Sequence, residues 1–269
     1  MLFFTFPIAS LQNRGIIIPK EVKCMYSEVF CRVYNEFGWN YYPEAFGLEL
    51  LQWLKEHGIR VENALDLACG TGVLCRVLHE QGIRARGMDL SGGMIAIARE
   101  ASPQIPYDVA DMTVYHPGEA FDLVTCTGDA LNHIPDISDV EKIFTNIHSY
   151  LKPGGHFIFD LLDKAEISTA EPFDLEFDEH TTARFQITRP AETKVHLQTQ
   201  VFRDGIHAFT EDIFETVHDR QAIVAMLKNQ GFELIKCAHR LSDSAGPEAA
   251  TWFVIARRTN LETPASAVK

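Results

Sequence analysis

Residues 65–72 read Leu65-Asp66-Leu67-Ala68-Cys69-Gly70-Thr71-Gly72. The apolar run from Ala64 to Leu67 has the length of a short buried strand, with one acid, Asp66, near its end. A glycine-containing turn follows, and Val73-Leu74-Cys75-Arg76-Val77-Leu78 opens a helical pattern. A strand, a Gly-x-Gly turn and a helix form a nucleotide-type binding corner. Gly70 and Gly72 let the backbone turn sharply and come close to a ligand. The start of the helix points its unpaired N–H groups at that ligand.

Two cofactor classes use such a corner, and the local charges separate them. A dinucleotide fingerprint needs a third glycine, G-x-G-x-x-G, and here Cys75 stands in that place. A carboxylate at position 66 would also repel a pyrophosphate. S-adenosylmethionine has no phosphate; its ammonium suits Asp66 and its carboxylate suits backbone N–H groups. The run 65–72 resembles the first motif, D-x-(A/G)-C-G-x-G, of the class I S-adenosylmethionine-dependent methyltransferases. The resemblance implies a Rossmann-like α/β fold: a seven-stranded, mostly parallel sheet with helices on both faces. It also implies S-adenosylmethionine as cofactor, with Asp66, Ala68, Gly70 and Gly72 against it.

Further positions fit the same pattern. Ile83 to Asp89 reads as the second strand, and Asp89 follows the glycine turn by about 20 residues, a spacing that presents a carboxylate to ribose hydroxyls. By itself Asp89 serves either cofactor class. Leu90-Ser91-Gly92-Gly93-Met94 is similar to the family's D-L-S-x-x-M, which implies Leu90 and Met94 against the adenine. Ser91 suits the N-cap of the helix that follows. Pro106 to Ala110 reads as the third strand, and Asp111-Met112 resembles the family's third acidic position, whose carboxylate takes the adenine amino group. Phe121 to Thr127 reads as the fourth strand, and the resemblance turns Thr127 and Gly128 toward the methionine end of the cofactor. Lys152-Pro153-Gly154-Gly155 before the apolar run 156–160 is another family mark, with a structural role. Ser138-x-x-Glu141 has the form of a capping box for the helix through Leu151.

Before the first motif, Val33-Tyr34-Asn35-Glu36-Phe37 to Tyr41-Tyr42 resembles the family's Tyr-x-x-Phe segment, a lid over the cofactor that helps wall the acceptor pocket. Tyr34 is the lid candidate against the cofactor and Tyr42 against the acceptor. His133 follows Asp129 and Asn132 at the end of the fourth strand, where ligands bind in open α/β sheets. An imidazole with an ordinary pKa of ~6.5 can take a proton from an amine or hydroxyl, so His133 is the catalytic candidate.

Residues 163–217 break the α/β rhythm. Thr182–Thr188, Val195–Phe202 and His207–Thr216 alternate roughly and are separated by Pro190-Ala191 and Arg203-Asp204-Gly205, so an inserted antiparallel sheet is expected. Relatives of the sugar N-methyltransferase kind carry such a sheet, ending in E-x-x-H or E-x-H. That resemblance marks Glu215 and His218 as acceptor contacts, with the register of the pair open. The sheet would wall the pocket or form a homodimer face. Asp174, Glu176 and Asp178 read as a solvated strand edge rather than a metal site, and no zinc or P-loop spacing occurs elsewhere, so no metal is expected.

The chain has 269 residues, 46% hydrophobic and 23% charged, as in a globular protein with one sizeable domain. A net charge of −13 speaks against a general nucleic-acid binder and suits a small neutral or cationic acceptor. Six cysteines without a C-x-x-C pair read as free thiols of a cytoplasmic protein, and no apolar run has the ~20 residues of a membrane span. Residues 1–24 are expected to form a loose extension, from a misassigned start, ahead of a methyltransferase domain at 25–258; residues 259–269 read as a frayed tail. Methyl transfer to N or O of a small molecule is the expected function. The rival readings are an NAD-dependent oxidoreductase and a non-catalytic cofactor-binding subunit of the same fold.

Overall fold

The computed structural model describes residues 26–165, 169–241 and 251–259. The expected extension at 1–24 and nearly all of the expected tail lie outside the described residues. Seven strands form the main sheet: β1 (Asn63–Leu67), β2 (Arg84–Asp89), β3 (Tyr107–Val109), β4 (Phe121–Cys126), β5 (Leu151–Leu162), β10 (Phe232–Ala238) and β11 (Thr251–Arg258). Their order is β10-β11-β5-β4-β1-β2-β3. β1 pairs in parallel with β2 and β4, while β11 runs antiparallel to β5 and to β10. This is the doubly wound methyltransferase sheet expected from the sequence.

Burial explains why β1 is mostly apolar, with Asn63 and Asp66 as its two polar residues. All five of its residues are buried, because helices cover both faces of a parallel sheet. One core joins β4 and β5 to α5 (Ile137–Tyr150) and α6 (Arg220–Asn229). A second packs α2 (Tyr41–Glu56), α3 (Val73–Glu80) and α4 (Gly92–Ala101) on the other face. Ser91 caps α4, its Oγ accepting from the Met94 amide at 3.2 Å. The cap of α5 differs from the expected box. Asp136 is the N-cap and accepts from the Ser138 amide at 2.8 Å, so Ser138 lies inside the first turn. A carboxylate two residues earlier takes the same role and also opposes the helix dipole.

The insertion is a separate sheet of four strands, β6 (Ala170–Glu176), β7 (Thr181–Ala191), β8 (Lys194–Arg203) and β9 (Ile206–Thr216), in sequential antiparallel order. Three were expected; β6 is the addition. Asp174 and Glu176 of the acidic run sit on this edge strand and Asp178 follows it; Asp174 pairs with Arg184 of β7 at 2.7 Å. Asp204 and Gly205 have φ of 50° and 75°, the two left-handed residues of a tight hairpin.

This second sheet supports the start of the chain. Val33 of α1 (Glu28–Val33) and Phe37 pack on Ala183, Phe185 and Val201. Ser27, the N-cap of α1, gives its amide hydrogen to one oxygen of Glu211 at 2.9 Å and its hydroxyl hydrogen to the other at 2.5 Å. Glu211 is only 5% exposed, so the lid is fastened to β9 by a buried carboxylate.

Candidate active site

The cavity opens at the C-terminal ends of β1 to β4, beneath Tyr26, Tyr34 and Tyr42. It begins with the loop after β1. Ala68, Gly70 and Gly72 all have left-handed φ, at 54°, 53° and 74°. A Cβ on Gly72 would lie 2.5 Å from the Tyr107 hydroxyl, so only glycine fits there. Gly70 lines the cavity, and open space stands where its Cβ would be, which leaves room for a ligand against the backbone.

Asp89 closes this loop from β2. One of its oxygens accepts from the Gly70 amide at 2.9 Å, the other from the Ser91 amide at 2.7 Å. Each oxygen keeps a free lone pair, and the two side by side match the two hydroxyls of a ribose. Burial raises the Asp89 pKa and the two amides oppose the rise. Asp66 is 4% exposed and accepts from the Thr125 hydroxyl at 2.7 Å. Burial pushes its pKa up to about 7, against the Thr125 hydrogen bond. Asp111 stands at the far, exposed end, and one of its oxygens is bonded to the Thr113 amide at 2.8 Å and hydroxyl at 2.7 Å. Leu90, Met94 and Met112 lie around the same end, and Ala68 and Thr127 line the cavity with them. Among the described residues the lining contains Asp66, Asp89 and Asp111 but no lysine or arginine. A pyrophosphate would meet carboxylates without a countercharge, which disfavours the dinucleotide reading. A cationic, phosphate-free adenosine cofactor fits this donor set.

The lid is tied to the loop as well as to the second sheet. The Thr71 hydroxyl donates to the Asn35 side-chain oxygen at 2.9 Å. Tyr34 is held under the lid, where burial pushes its phenol up to about 12.

Beyond Thr127 the chemistry changes. His133 lies in a short 3-10 turn, Ala130–His133, with its side chain 6% exposed. Its Nε2 is 3.8 Å from Glu215 Oε1. Burial lowers the His133 pKa, so the ring is neutral at pH 7; burial and then Asp160 push Glu215 up to about 7. Tyr42 lines the cavity and donates its hydroxyl hydrogen to Asp160, a residue without solvent exposure at the end of β5. The same carboxylate accepts the amides of Gly128 at 2.9 Å and Asp129 at 3.0 Å.

Ten of the eleven expected cofactor residues line this one cavity, Tyr34, Asp66, Ala68, Gly70, Asp89, Leu90, Met94, Asp111, Met112 and Thr127, and Gly72 shapes the loop beside it without lining it. Tyr42 and His133 also line it, and Glu215 stands beside His133. His218 does not reach it. Its Nε2 contacts the Leu131 and Ile134 carbonyls at 3.2 and 3.0 Å, an anchor between the end of β9 and the 3-10 turn. The chain leaves β9 at Thr216, so His218 no longer follows the strand alternation that places Glu215. Asp160, Tyr26 and Glu211 were not among the sequence candidates. An acid ending an apolar strand, the pattern of Asp66 and Asp89, is the signal that would have marked Asp160.

Comparison with known proteins agrees with this geometry. Residues 64–155 match the family described as Methyltransferase domain. The chain is 25% identical over 130 residues to a dTDP-4-amino-2,3,4,6-tetradeoxy-D-glucose N,N-dimethyltransferase of Saccharopolyspora spinosa, covering 48% of this chain and 51% of the relative. It is 29% identical over 129 residues to a dTDP-3-amino-3,6-dideoxy-α-D-glucopyranose N,N-dimethyltransferase of Streptomyces fradiae, covering 48% and 50%. These matches span about half the length of the curated relatives. Among solved structures, a S-adenosylmethionine-dependent methyltransferase from Clostridium acetobutylicum superposes with a TM-score of 0.74 at 22% identity, over 86% of this chain and 98% of that one. A S-adenosylmethionine-bound amino pentose methyltransferase from Micromonospora echinaspora gives 0.68 at 20% identity, over 88% and 99%. The fold is therefore that of the class I methyltransferases, and residues 64–155 match the methyltransferase domain family.

Proposed function

We propose that the chain transfers a methyl group from S-adenosylmethionine to an amine nitrogen of a small molecule. The observation that carries this reading is the acidic end of the cavity. Asp129 lies between the lining residues Gly128 and Ala130, Asp160 holds the Gly128 and Asp129 amides, and Glu215 stands beside the lining His133, while no lysine or arginine among the described residues lines the space. A cationic amine is attracted to such a place, whereas a neutral hydroxyl gains little from it. The likeness to amino-sugar N,N-dimethyltransferases supports an amino sugar as the acceptor class.

When bound, the cofactor supplies an electrophilic methyl and takes back the C–S electron pair as a thioether. The task of the protein is alignment and removal of one proton from the amine. Asp89 and Asp111 hold the adenosine, while Thr127 and the loop 68–72 place the methionine end. His133, neutral at pH 7, accepts the amine proton, and Glu215 stabilises the imidazolium that results. Tyr34 and Tyr42 exclude water.

The test is a paired acceptor panel. Each amino sugar, free or linked to dTDP, is offered beside the same sugar with a hydroxyl in place of the amine. Formation of S-adenosylhomocysteine with the amines, and a mass gain of one methyl or two, supports the reading. Turnover with the hydroxyl partners alone contradicts it.

Placement in the cytoplasm is part of the same proposal, supported by free thiols at Cys31, Cys69, Cys75, Cys126 and Cys237. No helix among the described residues is long and apolar enough to cross a membrane. A homodimer through the inserted sheet is supported by Phe214 and Ile206, exposed on β9. The acidic balance of the chain supports a small molecule over nucleic acid as the partner.

A further inference from the structure

The turn after β4 is held in an unfavourable shape for a reason that cofactor binding does not supply. Gly128 and Asp129 are both left-handed, with φ of 75° and 58°. Glycine adopts this freely, but for an aspartate it is uncommon, and such strain gathers at functional sites. The shape is fixed from behind. Asp160, fully buried, accepts both successive amides, one on each oxygen, at 2.9 and 3.0 Å. Tyr42 adds a third hydrogen bond to Asp160 from the lid helix.

The result is an aspartate with one buried oxygen left unpaired. Asp129 Oδ1 is buried and has no hydrogen-bond partner among the described residues. Burial, and after it the charges of Asp160 and Glu215, oppose its ionisation. A buried carboxylate oxygen without a donor is costly, and native structures seldom keep one without use. A second group in the same place is in the same condition. The His133 side chain is 6% exposed and lines the cavity, yet its Nδ1 is buried and has no hydrogen-bond partner among the described residues; burial lowers its pKa and the Phe214 backbone opposes this. Asp129 thus stands between two residues that line the cavity, Gly128 and Ala130, and His133 lines the same end, where no lysine or arginine among the described residues is found.

We propose that Asp129 binds the ammonium of the acceptor beside the transferable methyl, and that Asp160 is the positioning residue that presents it. This deepens the amine reading given above and rests on it. An acceptor N–H⁺ would complete the missing hydrogen bond and offset the mutual repulsion of Asp129, Asp160 and Glu215. It would also bring the nitrogen within reach of His133, which takes the proton before attack. The arrangement selects an amine over a hydroxyl at the binding step. Tyr42, through Asp160, makes formation of that subsite depend on the lid being in place.

Sinefungin provides a probe that needs no knowledge of the acceptor. It carries a primary ammonium where S-adenosylmethionine carries the sulfonium methyl, so its charge projects toward the acceptor space; S-adenosylhomocysteine has no charge there. The experiment is calorimetric titration of both ligands into the full chain and into Asp129→Asn. Asparagine keeps the size of the side chain and tolerates the left-handed backbone, and its S-adenosylhomocysteine affinity reports whether the fold and cofactor site survive. The wild-type protein is expected to prefer sinefungin. In Asp129→Asn that preference should fall by about tenfold or more, the loss of one charge-assisted hydrogen bond, with S-adenosylhomocysteine affinity unchanged. A wild-type protein without the preference overturns the proposal, and this arm does not depend on any variant folding. A preference that survives Asp129→Asn overturns the assignment of Asp129 while leaving the amine reading intact. The amine reading itself fails only on the acceptor panel, so the two failures are distinguishable.

Discussion

The hydroxyl of Tyr42 on α2 donates a hydrogen bond to Asp160 at the end of β5, 118 residues further along the chain. This single contact joins the lid side of the cavity to the sheet. It also links the lid to the turn after β4, because Asp160 holds the amides of Gly128 and Asp129. Tyr42→Phe removes the hydroxyl and keeps the ring. We expect a stability loss of about 1–2 kcal/mol, from one hydrogen bond to a charged group, and a higher KM for the acceptor. Thermal unfolding and steady-state kinetics on the variant check this; unchanged Tm and KM would remove Tyr42 from the account.

The lid has a second fastening at Glu211, which accepts twice from Ser27. Glu211→Ala leaves the Ser27 amide without its partner at the start of α1. We expect faster dissociation of S-adenosylhomocysteine, by roughly threefold or more, if about 1 kcal/mol of lid stability is lost. Stopped-flow displacement measures the rate. An unaltered off-rate would mean that α1 does not cover the cofactor.

Asp66 gives a prediction about pH. Its pKa rises from 3.8 to about 7 on folding, mainly by burial. Between those values the folded protein holds a proton that the unfolded chain has lost. Stability therefore falls as pH rises from 3.8 to about 7 and levels off above. Asp66→Asn removes the titration and keeps an acceptor for the Thr125 hydroxyl. The ligand-free variant should be more stable than wild type at pH 8, by a few kcal/mol on the order of magnitude set by such a shift, and close to it at pH 4. Thermal melts at the two pH values decide; equal stability at pH 8 would contradict a buried, reluctant carboxylate.

Glu215 and His133 give a second pH dependence, in the rate. Burial keeps His133 neutral at pH 7, and Glu215 ionises near 7. If Glu215 supports proton removal as an anion, kcat rises as pH increases through about 7. Glu215→Gln should lower kcat by about tenfold or more and flatten that rise. A rise that persists in the variant would assign it to another group.

The parts of the protein that the sequence made legible are those where local rules and the fold agree. The run 65–72 is a buried strand, a turn that needs left-handed backbone and a helix start, each marked by its own residues. The strand-end acids Asp89 and Asp111 follow at spacings imposed by the sheet. The lid was legible as a run of aromatics, but not its fastening to Glu211, since that contact spans 184 residues and belongs to the insertion. The acceptor end was the least legible. Asp160 looks like the close of an apolar strand, and only the packed structure shows it meeting Tyr42 and the amides of 128 and 129. His218 illustrates the converse. Its resemblance to a motif pointed to the cavity, while the chain path turns it onto the Leu131 and Ile134 carbonyls.

The central claim is that the loop 68–72 and Asp89 form a site for S-adenosylmethionine and not for a dinucleotide. Calorimetric titration of S-adenosylmethionine and of NADH into the wild-type chain and into Asp89→Ala tests it directly. We predict saturable binding of S-adenosylmethionine, no binding of NADH, and a loss of about tenfold or more in the variant, from two hydrogen bonds to a charged group. Binding of NADH by the wild type, or unchanged S-adenosylmethionine affinity in Asp89→Ala, would contradict the account.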